Sequence, residues 1–305
     1  MGAAFEKSGP LIIFKRSFSS DFGFSRILIV ASITSLILCD GISVAIPTAI
    51  PDVPFSKITG SFDGNITGSN KDPSKLGCQS TVPDFGELEK LQVSNKGPSD
   101  FVTNADLKAE KVIIEELKKA RPNYSIISEE SGIEENKDKN NTWIIDPIDG
   151  TMNFLHGVPH FAISIALKSD NEIVSGLIFD PIKDEMFFAE KNNGAFFNNH
   201  RIKVSKKNQI NKCLFAIGGK IERQTDIQYR RSGSAALDIA YVAAGRYDGY
   251  FQKDLKIWDI AAGIVLIKEA GGLINEIDLS KSKKLDVIAS SPDIYQKLLK
   301  KIENF

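Results

Sequence analysis

The 305-residue chain sets 38 Lys and Arg against 39 Asp and Glu for a net charge of −1. That balance excludes a nucleic-acid surface built on bulk charge, while the length suits one large domain or two. Three widely spaced cysteines (Cys39, Cys78, Cys213) make neither a disulfide framework nor a metal knuckle, and three scattered histidines (His156, His160, His200) make no zinc site, so any metal is oxygen-ligated.

Residues 1–83 read as a leader distinct from the rest. Lys7, Lys15, Arg16 and Arg26 precede an uncharged apolar run, Ile27 to Cys39, and after Asp40-Gly41 the chain continues Ile42 to Ile46. Three targeting readings compete. One is a signal peptide with a long basic front, another a signal anchor of roughly 20 residues with Asp40 inside it, and the third an organellar transit segment carried by Lys15 to Ser20. Against an anchor, the run is short and an acidic residue in a span is costly. A disordered or misjoined leader is the fourth reading. Pro47 to Pro83 has linker composition, rich in Pro, Gly, Ser, Thr and Asn. A membrane partner enters only if residues 27–46 are an anchor, and the rest of the chain is otherwise expected in the cytoplasm.

From Asp84 the pattern is globular to the end, in halves 84–205 and 206–305. After the turn Lys96-Gly97-Pro98, Thr103 is a suitable N-cap with Asp106 at the third helical position. Ala109, Ile113, Leu117 and Ala120 recur at helical spacing up to Arg121-Pro122. Tyr124 to Ile127 is a short strand ending at Ser128-Glu129-Glu130-Ser131-Gly132, and a polar excursion, Glu134 to Asn141, separates it from the next strand. Loops at strand ends are where α/β proteins build sites.

The stretch Trp143 to Phe154 carries the chemistry. A strand, Trp143 to Ile145, delivers Asp146; a turn through Pro147 and Ile148 follows; Asp149 comes next, and Gly150-Thr151 opens a helix. Two carboxylates so close, with no basic residue between them, call for a divalent metal such as Mg²⁺ or Ca²⁺. Pro147 has no N–H, so the carbonyls around it are free to face a cation. The amides of Gly150 and Thr151 at a helix start suit a phosphate. A solvated Asp/Pro/Gly turn accounts for Asp-Pro-Ile-Asp alone about as well.

An antiparallel meander is expected next: Phe161 to Lys168, Ile173 to Phe179, Glu185 to Ala189 and Ala195 to Phe197, with a tight turn at Asn193-Gly194 and an extension through Ile202 and Val204. Its phenylalanines are packing residues. The second half holds a strand Leu214 to Ile217, then Arg230-Arg231-Ser232-Gly233-Ser234-Ala235-Ala236 leading into a small-residue helix that ends at Gly245. Those small residues serve either tight packing or close approach of a ligand. A strand Tyr247 to Phe251 precedes a helix opening at Ile257-Trp258-Asp259 and closing at Glu269-Ala270-Gly271-Gly272. Read bare, Asp259 is an N-cap. A strand Val287 to Ala289 and a helix Pro292 to Ile302 finish the chain.

From Asp84 onward the chain resembles the inositol monophosphatase family. Trp143 to Phe154 matches its long signature, an apolar strand, Asp-Pro-Ile/Leu-Asp-Gly-Thr and Asn-Phe. Trp258-Asp259 with Ala-Ala-Gly and Glu-Ala-Gly-Gly matches a second. The resemblance implies an αβαβα five-layer sandwich with an antiparallel sheet in the first half and a mostly parallel one in the second. It implies a Mg²⁺-dependent phosphomonoesterase with two ions, and such sites can take a third, looser one near Glu129. Glu129, Asp146 and the Ile148 carbonyl would hold one ion, and Asp146, Asp149 and Asp259 another. Thr151 and Glu129 would orient the attacking water, with Asp106 behind Thr151. Substrate contacts would come from Asp149, Gly150, Thr151, Gly233, Ser234, Ala235, Gln252 and Asp259. Two departures stand out: Gln252 falls where some members have glutamate, and the long helix usually preceding the Lys-Gly turn is missing. The implied substrate is a small phosphorylated polyol, inositol 1-phosphate by default. Relatives act on fructose 1,6-bisphosphate, histidinol phosphate, 3′-phosphoadenosine 5′-phosphate or NADP. Implied partners are a second copy of the chain and, for some bacterial members, RNA polymerase and antitermination factors, with no direct nucleic-acid contact.

Overall fold

Helix α1 (Asn104–Ala120) buries Ile113 and Leu117, four residues apart and so on one face, against Ile126, Ile145, Ile163, Ile165 and Phe179. The computed structural model describes residues 93–97, 100–219, 227–281 and 284–302. The leader reading for 1–83 and the missing helix lie outside the described residues. A short hairpin, β1 (Val93–Gly97) with β2 (Asp100–Thr103), leads into α1.

The surface under α1 is an eight-stranded sheet. Its strands are β3 (Tyr124–Ser128), β4 (Gly132–Glu134), β5 (Asp138–Asp149), β6 (Ala162–Ser169), β7 (Glu172–Asp180), β8 (Glu185–Glu190), β9 (Gly194–Phe197) and β10 (His200–Arg201). The order is β10-β9-β8-β7-β6-β5-β3-β4, antiparallel except for the parallel pair β3 and β5. Both faces of this sheet are covered. On β5, Ile145 packs under α1, whereas its neighbour Ile144 points into the opposite core. That double burial explains why Trp143 to Ile145 reads as a continuous apolar run rather than an alternating one.

On that opposite face lie α3 (Ala235–Ala243) and α4 (Ile257–Glu269); the short helix α2 (Thr151–Leu155) follows β5. Most residues of α3 and α4 are buried, all round the helix, because a second sheet covers their other side. Helix α4 approaches the first sheet so closely that a Cβ on Gly176 would stand 2.7 Å from the backbone of Ala262. The second sheet, β12-β11-β13-β15-β14, comprises β11 (Leu214–Ile217), β12 (Gln228–Arg230), β13 (Gly249–Leu255), β14 (Leu273–Ile274) and β15 (Leu285–Ser290). Its outer face buries Phe215, Ile217 and Phe251 under Ile294, Leu298 and Ile302 of α5 (Pro292–Ile302). The layers are thus helix, sheet, helix pair, sheet, helix: the layered α/β sandwich expected.

Three expectations need correction. The second sheet is evenly mixed rather than mostly parallel: β12–β11 and β11–β13 are parallel, β13–β15 and β15–β14 antiparallel. The excursion after Gly132 is not all loop, since β4 folds back on β3 and β5 already begins at Asp138. Asp146 to Asp149 is not a turn but the end of β5, which carries a bulge there.

Candidate functional site

The bulge in β5 creates the site. Asp146 faces Ser164 of β6 and Asp149 faces Ala162, so three steps on β5 match two on its partner. Pro147 lies in the irregular stretch and can donate no ladder bond there. In a regular strand, residues three apart point to opposite faces; the extra residue turns Asp146 and Asp149 to the same side. Asp259 reaches them from the first turn of α4. It is the third helical residue rather than the N-cap, and its Oδ2 accepts the backbone N–H of Lys256 at 2.9 Å. One oxygen from each of Asp146, Asp149 and Asp259 falls within 4.8 Å of the others.

Each aspartate is held by donors that fix its direction. The Ile148 N–H donates to Asp146 Oδ1 at 3.0 Å. The Ser234 hydroxyl donates to Asp149 Oδ2, joined by the amides of Ala236 at 2.9 Å and Ala235 at 3.3 Å. Ser234 Oγ also accepts from Leu237 N at 3.3 Å as the N-cap of α3, so one side chain starts a helix and orients an acid. Glu129, on the loop between β3 and β4, stands with Oε1 3.6 Å from Lys256 Nζ.

The electrostatics are those of a site built for a cation. Burial, then the charges of Glu129, Asp149 and Asp259, push the Asp146 carboxyl well above the usual carboxylate range. Burial lifts Asp149 to about 6 against the lowering effect of Ser234, Ala236 and Ala235. Burial and the charge of Asp149 carry Asp259 to about 8. Two buried acids and a half-buried third that resist ionising together are stabilised as anions by a divalent ion among them. Their oxygen-only donor set suits a hard cation, and their spacing is near the span of about 4 Å across one Mg²⁺.

The acids line one cavity of about 410 Å³, together with Glu129, Ile148, Gly150, Thr151, Gly233, Ser234, Ala235 and Gln252. Asp106 is the expected residue that the cavity lining does not include; it is wholly buried on α1. Thr151 Oγ1 donates to the Ile148 carbonyl at 3.1 Å. Gly150 precedes α2 at φ 98°, and a Cβ there would sit 3.3 Å from the carbonyl oxygens of Gly233 and His160. The hydroxyl of Ser234 and the amide of Ala235 are turned to Asp149, which makes them supports of that acid. Gln252 accepts the Tyr250 hydroxyl at 2.7 Å through Oε1.

Sequence reading missed several lining residues. Asn153 donates to the carbonyls of His160 at 2.7 Å and Ser232 at 2.8 Å, tying the loop before Gly233 to α2 and to the segment after it. Its place in the Asn-Phe pair closing the signature was the available signal. Lys256 and Arg231 are the cations of the lining. Lys256 is three residues before Asp259, but nothing in the pattern gave it a role. Asp238, lifted by burial to about 7 and bonded by Ser232 Oγ at 2.6 Å, looked like an ordinary polar residue of a small-residue helix.

Residues 83–304 match the model of the inositol monophosphatase family. An inositol-1-monophosphatase of Caulobacter vibrioides is 42% identical over 239 residues, covering 72% of this chain and 93% of that protein. A Nus factor SuhB of Haemophilus influenzae is 39% identical over 235 residues, 72% of this chain and 88% of the relative. The crystal structure of extragenic suppressor protein suhB from Bartonella henselae superposes with a TM-score of 0.66 at 44% identity, covering 71% of this chain and 90% of that one.

Proposed function

The chain belongs to the inositol monophosphatase family and is a phosphomonoesterase, and on that premise we propose that it hydrolyses a small phosphorylated polyol, inositol 1-phosphate first, with Mg²⁺. The observation that carries this reading is the convergence of Asp146, Asp149 and Asp259 within 4.8 Å on one cavity. Those three acids, with Glu129 and the Ile148 carbonyl, would hold two ions. The Lys256 ammonium already stands 3.6 Å from Glu129, which argues for two rather than three. When bound, Mg²⁺ lowers the pKa of water and offsets charge growing on the phosphoryl and leaving oxygens.

The chain's own groups do the remaining work. With its proton given to Ile148 O, the Thr151 hydroxyl keeps a lone pair to accept from a water, and Glu129 offers a carboxylate to the same water. Gly150 and Thr151 receive the phosphate, and the turn there favours glycine because a Cβ at position 150 would meet the carbonyl oxygens of Gly233 and His160. Gln252, with its oxygen turned to Tyr250, presents an amide donor to polyol hydroxyls. Asp106 acts from behind the wall rather than on the substrate. Phosphate release from a panel of inositol 1-phosphate, fructose 1,6-bisphosphate, histidinol phosphate and 3′-phosphoadenosine 5′-phosphate tests the reading, with and without Mg²⁺ and with Li⁺ as inhibitor. Turnover is expected to be fastest on inositol 1-phosphate; no Mg²⁺-dependent turnover on any of them refutes it.

One finding favours a second reading. Several relatives at 38–39% identity are named Nus factor SuhB, so the same chain would bind RNA polymerase or its antitermination factors. Pull-down with purified polymerase tests that role, and size-exclusion chromatography tests the homodimer. Among the described residues no helix is long and apolar enough to cross a membrane.

A further inference from the structure

We infer that Glu110, which does not line the cavity, is the positioning residue that sets where Glu129 presents its carboxylate, and through it how tightly the site takes a divalent cation. The inference rests on the proposed role of Glu129 as a metal ligand. Glu110 lies on α1 with only 2% of its surface exposed. A carboxylate so buried is tolerated only when its oxygens are saturated by donors. All three of its donors come from the end of β3 and the loop after it that carries Glu129. Ser128 Oγ and the Glu130 N–H, the latter at 2.9 Å, donate to Oε2, and Ser131 Oγ donates to Oε1. These residues stand at positions −1, +1 and +2 from Glu129, so one buried acid brackets it on both sides.

The bracket has a counterpart on the other strand. The Glu129 N–H donates to Ile145 O of β5 at 3.2 Å, one residue before Asp146. The loop is therefore pinned to α1 through Glu110 and to the metal-bearing strand through Ile145. Between those anchors Glu129 lines the cavity, where its charge raises the Asp146 carboxyl. Groups that orient a metal ligand change metal affinity by about 10–100-fold when removed. What Glu110 supplies is reach: two acceptor oxygens at the end of a side chain long enough to meet the loop from the helix.

Reach and charge are separated by two substitutions. Glu110→Asp keeps the charge but withdraws both oxygens by one methylene. Glu110→Gln keeps the length, an acceptor for Ser128 and the Glu130 amide, and an NH₂ to which the Ser131 hydroxyl can turn as acceptor. Mg²⁺ binding to the intact chain, measured by isothermal titration calorimetry, is expected to weaken about 10-fold or more in Glu110→Asp and to stay near wild type in Glu110→Gln. Ser131→Ala, lacking one of the three donors, falls between. Leu117→Ala empties a buried site on the same helix and controls for a merely structural role; it is expected to lower the melting temperature without moving the Mg²⁺ dissociation constant. Wild-type affinity in Glu110→Asp and Ser131→Ala, alongside lost affinity in Glu129→Ala, overturns the inference and leaves the function intact. Unchanged affinity in Glu129→Ala instead removes the reading on which the inference stands.

Discussion

Replacing Asp259 by asparagine is expected to stabilise the metal-free protein while abolishing its reaction. Asp259 ionises against its surroundings: burial and Asp149 move its carboxyl from 3.8 to about 8. At about 1.4 kcal/mol per pH unit, keeping that group ionised costs on the order of 6 kcal/mol. The repulsion is shared with Asp146 and Asp149, so removing one charge recovers about 1–3 kcal/mol, since interacting sites do not add. Asparagine retains a carbonyl oxygen for the Lys256 N–H that Oδ2 accepts at 2.9 Å, so little structure is lost in exchange. The sign follows from linkage. A folded-state carboxyl raised above its unfolded value makes the native state hold the extra proton, and stability falls as pH rises from near 4 to near 8. The advantage of Asp259→Asn is therefore negligible at pH 4, grows with pH and is full above about 8. Thermal melts in EDTA at pH 5 and pH 8.5 measure it, and a gain of about 2–4 °C per kcal/mol is expected at the higher pH. Adding Mg²⁺ stabilises the wild type far more than the variant. A variant melting below wild type at pH 8.5 without metal, or gaining as much from Mg²⁺, refutes the reasoning.

Two further substitutions probe the supports of the site. Ser234→Ala removes both a helix cap and a donor to Asp149, costing about 1 kcal/mol in a chemical melt; because that bond lowers the Asp149 carboxyl, its loss moves the acid limb of Mg²⁺ binding to higher pH. Gly150→Ala forces a side chain into φ 98° against the carbonyl oxygens of Gly233 and His160; it is expected to cost about 1–2 kcal/mol and to lower kcat by an order of magnitude or more, read by melting and phosphate release.

Much of the fold was legible because its signals are local. The α5 range Pro292–Ile302 and the apolar spacing of α1 follow from helical periodicity and from proline and glycine at element ends. What failed was pairing. Whether β13 meets β15 parallel or antiparallel depends on how α4 returns the chain to the sheet, and nothing in Leu285 to Ser290 itself records it. Likewise Asp-Pro-Ile-Asp has the composition of a turn, but the β6 partner at Ser164 and Ala162 draws it into the sheet as a bulge. At the site, Asp146 and Asp149 could be read as a pair because they are neighbours in sequence. Asp259 could be joined to them only through the second family signature, since a lone aspartate in a first helical turn is usually a cap. Lys256 and Glu110 left no such mark, and Asn153 only its place at the end of the first signature: each acts on backbone or side-chain groups distant in sequence, and only the folded chain brings them together.

The acids on β5 and α4 are proposed as a cation site on which phosphate release depends. Asp146, 1% exposed, keeps its bond to the Ile148 N–H if asparagine replaces it, so the variant is expected to fold. Phosphate release from inositol 1-phosphate by wild type and Asp146→Asn, titrated with Mg²⁺ and paired with circular dichroism, is the direct measurement. A Mg²⁺-dependent wild type is expected, with a folded variant whose turnover falls by several orders of magnitude at every Mg²⁺ concentration. A folded variant that retains wild-type turnover, or a wild type indifferent to Mg²⁺, contradicts it.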